Sequence, residues 1–153
     1  MTTEVADRVL DPSQVQALSE GLIAFLQQNT APDGLFQPDV FCDISLPQWR
    51  LQTGSVDDLV AVRRQSHPDL GRVSRWRSDA LHDGLVFEFE ERWTDAHGED
   101  WSAREIIRAT VSNARISEMS VYCTGDWDRT RVAEHVVKWR RSDWELSHAA
   151  TRT

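Results

Sequence analysis

Basic residues are in the minority in this 153-residue chain: 17 lysines and arginines stand against 25 aspartates and glutamates, for a formal charge of -8. A surface of that sign repels nucleic-acid phosphates and argues against non-specific DNA or RNA binding. Cysteine is scarce as well. Cys42 and Cys123 are the two present. They form no C-x-x-C pair, so neither a disulfide framework nor a thiolate metal clip is indicated, and both read as reduced, small apolar residues without a base partner. The histidines, at 67, 82, 97, 135 and 148, show neither HxH nor HxxxH spacing, and no metal site is expected. No apolar run approaches the ~20 residues of a membrane span. The opening MTTEVADRVL has no apolar core of the kind a secretory signal carries. Repeats, linkers and low-complexity segments are missing too. The expectation is one cytoplasmic domain with a real core, no membrane or nucleic-acid partner and no cofactor.

What the chain does have is tryptophan, seven in all, enough to build a core, a subunit interface or an aromatic pocket. It also has clear punctuation. DPSQVQALSEGLIAFLQQN predicts a helix with Asp11 as cap, Pro12 at its first position and Gln14 completing a capping box. Its apolar stripe is Val15, Leu18, Leu22, Ile23, Phe25 and Leu26. Leu35 and Phe36 read as a short further turn of helix. VFCDISL reads as a strand stopped by Pro47. SVDDLVAVRRQ reads as a second helix capped by Ser55, with Asp57 and Asp58 at the favourable end of its dipole. Four antiparallel strands follow from three turns. RVSRWRSDAL and LVFEFEERWT flank a two-residue Asp83-Gly84 turn, the next pair turns at DAHGED, and the last at SNAR. In VYCTGDWDRTRV the last strand ends, Gly125 turns the chain and Asp128 caps a final helix over about 128–141. Trp127 is expected to plug the sheet against that helix, whose apolar face holds Val132, Val136 and Trp139, and Asp126 to face water. The class is α+β, with helices on one face of a curved sheet and an apolar cone open at one end.

Strand alternation selects candidates. Leu85, Phe87, Phe89, Glu91 and Trp93 share one face, and Val86, Glu88, Glu90 and Arg92 the other. The two-residue turn pairs Trp76 with Glu91 and Ser78 with Phe89. On the opposite face it pairs Arg77 with Glu90 and Asp79 with Glu88, as a solvated ladder. Glu91 is thus a carboxylate on an aromatic face. Glu105 stands likewise among Trp101, Ala103, Ile107, Ala109 and Val111 on the neighbouring strand. Two buried carboxyls side by side raise each other's affinity for a proton and serve general acid/base chemistry. The alternative is a rim position in water or against an arginine. Phe89, Trp49 and Trp76 offer flat walls for a pocket or plain core. Met119, Val121 and Cys123 share a face that looks into the pocket if the SNAR turn sets that register. His67 reads as a surface loop residue before Pro68, with a general base as the alternative. Arg63, Arg64, Arg72, Arg75 and Arg77 read as a solvated face or an acid-binding rim.

The order of elements, LFQPDVFCDISLP after the first helix and the ending ARISEMSVYCTGDWD together resemble the NTF2-like superfamily over about residues 12 to 128. In that family an isoleucine near the last turn is followed by a tyrosine six residues on, here Ile116 and Tyr122. Within the family the resemblance is to SnoaL-like polyketide cyclases and limonene-epoxide-hydrolase-type enzymes. It implies a cone-shaped α+β fold, a small-molecule ligand and a homodimer. Family activities span isomerases, cyclases, dehydratases, epoxide hydrolases and non-catalytic modules, so fold does not choose among them. Family dimers often bury the outer sheet face, which would leave Glu90 and Arg92 lining the pocket instead of the aromatic face. Epoxide hydrolysis is disfavoured, because Glu90 and Arg92 reverse the family's Arg and Asp and Val121 stands where an Asp is needed. No first-helix tyrosine is present for a ketosteroid-isomerase oxyanion arrangement, Tyr122 being the sole tyrosine. Asp43 falls among the family's polar pocket residues; its alternative is a strand-end carboxylate bound to backbone amides. The expectation is therefore cofactor-free acid/base chemistry of cyclase, isomerase or dehydratase type. Asp43 and Glu91 would transfer protons, and Trp49, Trp76, Phe89, Glu105, Met119, Val121 and Cys123 would line the pocket. A binding or dimerisation module is the alternative.

Overall fold

The computed structural model describes residues 9–136. Helix α1 (Pro12–Gln28) has the capping box its sequence announces: Asp11 accepts from the Gln14 amide at 2.9 Å and the Gln14 side chain returns the bond at 2.9 Å. It ends at Asn29 in the left-handed region (φ 53°), a conformation asparagine tolerates better than most residues. Helix α2 (Val56–Ser66) starts on Ser55, whose hydroxyl accepts from the Asp58 amide.

The strands are β1 (Phe36–Ser45), β2 (Arg50–Thr53), β3 (Arg72–Ala80), β4 (Gly84–Thr94), β5 (Asp100–Ser112), β6 (Arg115–Cys123) and the two-residue β7 (Trp127–Asp128), followed by α3 (Arg129–Val136). They form one curved, unclosed sheet in the order β2-β1-β6-β5-β4-β3, with β7 paired to β5. Among the described residues every strand pairing is antiparallel except β1 with β6. No helix among the described residues is long and apolar enough to cross a membrane.

Three local expectations change. Phe36 begins β1 instead of prolonging a helix; its ring is buried edge-on against Phe25 at 5.2 Å, and that burial outweighs local helix preference. The hairpin through Leu46–Trp49, closed by two backbone bonds of 2.8 and 3.4 Å, and its strand β2 were not anticipated. The β3–β4 turn is longer than two residues. Ala80 pairs with Leu85 and Trp76 with Phe89, a slip of two positions from the predicted register. A slip of two leaves every side chain on its predicted face. Gly84 lies in β4, where an added Cβ would stand 1.8 Å from the Ala109 carbonyl oxygen; glycine is needed there for close strand approach, not for a two-residue turn. The final helix is present through Val136, with Asp128 accepting from the Arg131 amide as its cap. Trp127 lies against His135, with Arg131 over its ring. Trp139 and the rest of the helix expected to 141 lie outside the described residues.

The inner face of the sheet is settled by its ladder rows. One row runs Trp76, Phe89, Glu105, Cys123; the next runs Ser78, Phe87, Ile107, Val121, Ile44, Leu51. These pack against Leu18, Leu22, Phe25 and Leu26 of α1 and Leu59 of α2. Burying each large apolar side chain contributes about 1.5–3 kcal/mol. The aromatic face of β4 is therefore the core face, and Glu90 and Arg92 belong to the outer one. There Glu90 is buried, not solvated, between Arg75, Arg92 and the Ser74 hydroxyl. Burial opposes its charge, but Arg92 and Arg75 prevail and hold its carboxyl below the usual range.

Candidate active site

Between α1, α2 and the β1, β5 and β6 strands the sheet leaves a cavity of about 270 Å³. Most of its wall is apolar, including Leu51, Leu59, Ile107, Met119 and Val121, and its polar members include Arg63, His67, Glu105 and Cys123. Glu105 reaches it because β5 alternates: Ala103, Glu105, Ile107 and Ala109 all face inward and are buried. Glu91 of β4 sits diagonally across from it, since Phe89 is opposite Glu105 and Glu91 opposite Ala103. Long side chains meet across such a diagonal.

The two carboxyls are held differently. Glu91 takes a forked ion pair from Arg63 of α2, with Nη2 at 2.5 Å from Oε1 and Nη1 at 3.1 Å from Oε2. The same guanidinium donates to the Leu26 carbonyl at 2.8 Å and to the Asn29 side chain at 3.0 Å. Among the described residues Glu105 has no such cation, and no amide, hydroxyl or guanidinium donor reaches its buried Oε1. Its hydrogen-bonding contact there is the Glu91 carboxyl. Burial first, then the charge of Glu91, push Glu105 up to about 8, while Arg63 pulls the other way. Glu105 therefore keeps its proton at neutral pH.

His67 completes the cluster. As the C-cap of α2 it presents its ring to the cavity and edge-on to Trp93 at 5.1 Å. Burial, and then the charge of Arg63, push its imidazole down to about 4, so it is neutral at physiological pH. Asn29 fixes the arrangement from below, donating to the His67 carbonyl at 2.6 Å while accepting from Arg63. His67, Glu91 and Glu105 place nitrogen and oxygen atoms within 4.8 Å of one another. That set would suit a divalent cation poorly, because Arg63 already occupies both oxygens of Glu91 and sets a positive charge beside them.

Of the residues expected at the site, Glu105, Met119, Val121 and Cys123 line the cavity. Glu91 stands behind that lining, tied to Arg63, and is the anchor of Glu105 more than a free base. Asp43 is a correction. Its neighbours Cys42 and Ile44 point inward, so it points out, in a forked pair with Arg50 at 2.9 and 2.6 Å. That bond holds its carboxyl below the usual range. Asp43→Asn should leave turnover of a cavity substrate unchanged; a marked loss in steady-state assays would return Asp43 to the catalytic set. Trp49 is 72% exposed on the β1–β2 hairpin and walls nothing. Trp76 and Phe89 are inner-face residues packed with Phe87, core instead of lining. The Cys123 thiol is pushed up to about 12, mainly by burial, and accepts from the Gly125 amide, which suits an inert wall. Asp126 is exposed, as expected.

Arg63, His67 and Asn29 were missed. A signal for Arg63 existed. Leu59, Val62, Arg63 and Ser66 recur at the spacing of one helix face, which marks Arg63 as inward-facing. His67 and Asn29 gave no comparable signal.

The fold is an open α+β cone whose inner face carries a carboxyl pair. No family profile and no curated protein matches the sequence. Solved structures do match in shape. An NTF2-like protein from Anabaena variabilis aligns with a TM-score of 0.62 at 14% identity, over 82% of this chain and 96% of its own. A candidate isomerase from Rhodopseudomonas palustris aligns at 0.59 and 13%, over 85% and 100%. An LEH-like epoxide hydrolase from M. tuberculosis aligns at 0.57 and 12%, over 82% and 91%. This chain has the NTF2-like fold.

Proposed function

We propose that this chain is an enzyme of cyclase, isomerase or dehydratase type, moving protons on an apolar metabolite held in the cone. The observation that carries the reading is Glu105: a buried carboxyl that lines an apolar cavity beside Glu91 and is pushed up to about 8 by burial and by that neighbour. A pair holding one proton can accept a second from substrate or deliver the one it has, so both halves of a proton transfer are available at neutral pH. Arg63 balances the charge of the singly protonated pair, which limits the cost of holding it in a low-dielectric site. Isomerisation, cyclisation and dehydration each need this and no electron carrier. The named neighbours in shape, an isomerase candidate and an epoxide hydrolase among them, are compatible with it.

The pH dependence of kcat/KM is the test. The competent pair retains its proton below its ionisation and loses it above, so activity should fall as pH rises through about 8. A profile flat through that range, or one whose controlling group titrates with ordinary glutamates near 4.5, rejects the role of Glu105. A cavity of about 270 Å³ lies at the small end for ligand sites and also suits a carrier. In that case ligand affinity follows the same pH limb with no turnover.

A further inference from the structure

The polar end of the cavity discriminates among ligand head groups. Its charges already balance: the Arg63 guanidinium is spent on Glu91, Glu105 keeps its proton, and His67 is neutral. A cationic ligand would meet Arg63 and an anionic one Glu91, both with little water to screen them. Hydrogen-bonding capacity, in contrast, is not balanced. Among the described residues Glu105 has one hydrogen-bonding partner for its two carboxyl oxygens, Glu91, and no donor group reaches the buried Oε1. The residue is 7% exposed and lines the cavity. His67 lines it as well, and a neutral imidazole has one N–H and one lone pair to offer.

The separation of the two groups fits one bridging atom. Their nitrogen and oxygen atoms lie within 4.8 Å, and a single oxygen making bonds of about 2.8 Å to each side spans up to roughly 5.6 Å. A hydroxyl can donate to the carboxyl oxygen and accept from the ring N–H at once. A ketone or ether oxygen only accepts, and leaves the carboxyl oxygen without a donor, a costly outcome when buried. Beyond this end the wall is aliphatic, with Leu59, Ile107 and Val121.

We propose that the cavity binds a neutral apolar alcohol, its hydroxyl bridging Glu105 and His67 and its hydrocarbon body lying against Leu59, Ile107 and Val121. This rests on the reading of the cavity as the substrate site but not on catalysis there. The volume of about 270 Å³ corresponds to roughly nine water-sized units at ~30 Å³ each, room for a six-membered ring with one substituent.

Five probes of one shape test it by calorimetry or ligand-observed NMR: cyclohexanol, cyclohexanone, methylcyclohexane, cyclohexylammonium and cyclohexanecarboxylate. Cyclohexanol should bind at least about tenfold more tightly than each of the others, the discrimination of one buried hydrogen bond. Equal or tighter binding of cyclohexanone, or of either ion, overturns the proposal. Glu105→Leu should erase the preference of alcohol over ketone; a preference that survives also overturns it. Glu105→Gln is the second variant. Its amide N–H₂ can donate to Glu91 and its carbonyl oxygen can face the cavity, so the alcohol preference should persist in a folded protein, and its loss there counts against the proposal. The two readings fail separately. Alcohol preference in a protein that turns nothing over sinks the enzyme and keeps the ligand class, whereas turnover without that preference does the reverse.

Discussion

Glu105→Gln should lower turnover by about 10²–10⁴-fold, the range lost with a positioned acid or base, with no loss of thermal stability. The substitution separates two properties of one side chain. Gln keeps the volume among Phe89, Ile107 and Cys123 and can still hydrogen bond to Glu91, but it has no acidic proton to give or take. Wild-type Glu105 is strained by burial and by the charge of Glu91; Gln removes that strain, so a gain in stability that builds between pH 4.5 and about 8 is expected alongside the loss of activity. The sign follows from linkage. The folded group holds its proton between 4.5 and about 8 where the unfolded one does not, so wild-type stability falls with pH across that window. Turnover undiminished in Glu105→Gln, measured with a substrate found by native mass spectrometry of co-purified ligand, would remove the proposed mechanism.

Arg63→Leu should be the most destabilising single change at the site, by about 3–5 kcal/mol, the cost of removing one partner of a buried ion pair. Both members of the pair are buried, at 11% and 5% side-chain exposure. The variant would leave three acceptors without their donor: the Glu91 carboxylate, the Leu26 carbonyl and the Asn29 side chain. At this chain size the loss corresponds to a Tm lower by roughly 6–20 °C. The control is the double variant Arg63→Leu with Glu91→Leu. Replacing a whole buried pair by apolar residues is often neutral, so the double variant should recover much of the stability. Calorimetry showing Arg63→Leu unchanged in Tm would mean the pair is not closed off from water, and the low-dielectric reading of the cavity would fall with it. Lost activity in the folded double variant would be expected in either case, since Glu105 would lose the carboxyl it hydrogen-bonds to.

Local physics made much of the architecture legible. The caps at Asp11, Ser55 and Asp128 each satisfy backbone amides within three residues, so a short window of sequence contains the whole interaction. The placing of Glu91 and Glu105 on inward faces survived an error in the β3–β4 register because side chains alternate with period two. By the same rule Asp43, flanked by Cys42 and Ile44, belongs on the outward face. The resemblance that drew it into the site carried no information about which way its strand faced.

The sequence by itself determined most of the elements, the inward faces of β4 and β5 and the presence of two carboxyls on them, because these are decided by neighbours within one turn or one pleat. Tertiary structure alone decided which carboxyl would be free. Glu91 and Glu105 are equivalent by pattern, and they differ because α2 docks with Arg63 on Glu91 and not on Glu105. Asn29, Arg63, His67 and Glu91 come together only when α1, α2 and β4 close on one another. The ionisation of Glu105 is set by that closure, since a protonation equilibrium depends on charges and solvent within a few ångströms in space, wherever those groups lie along the chain.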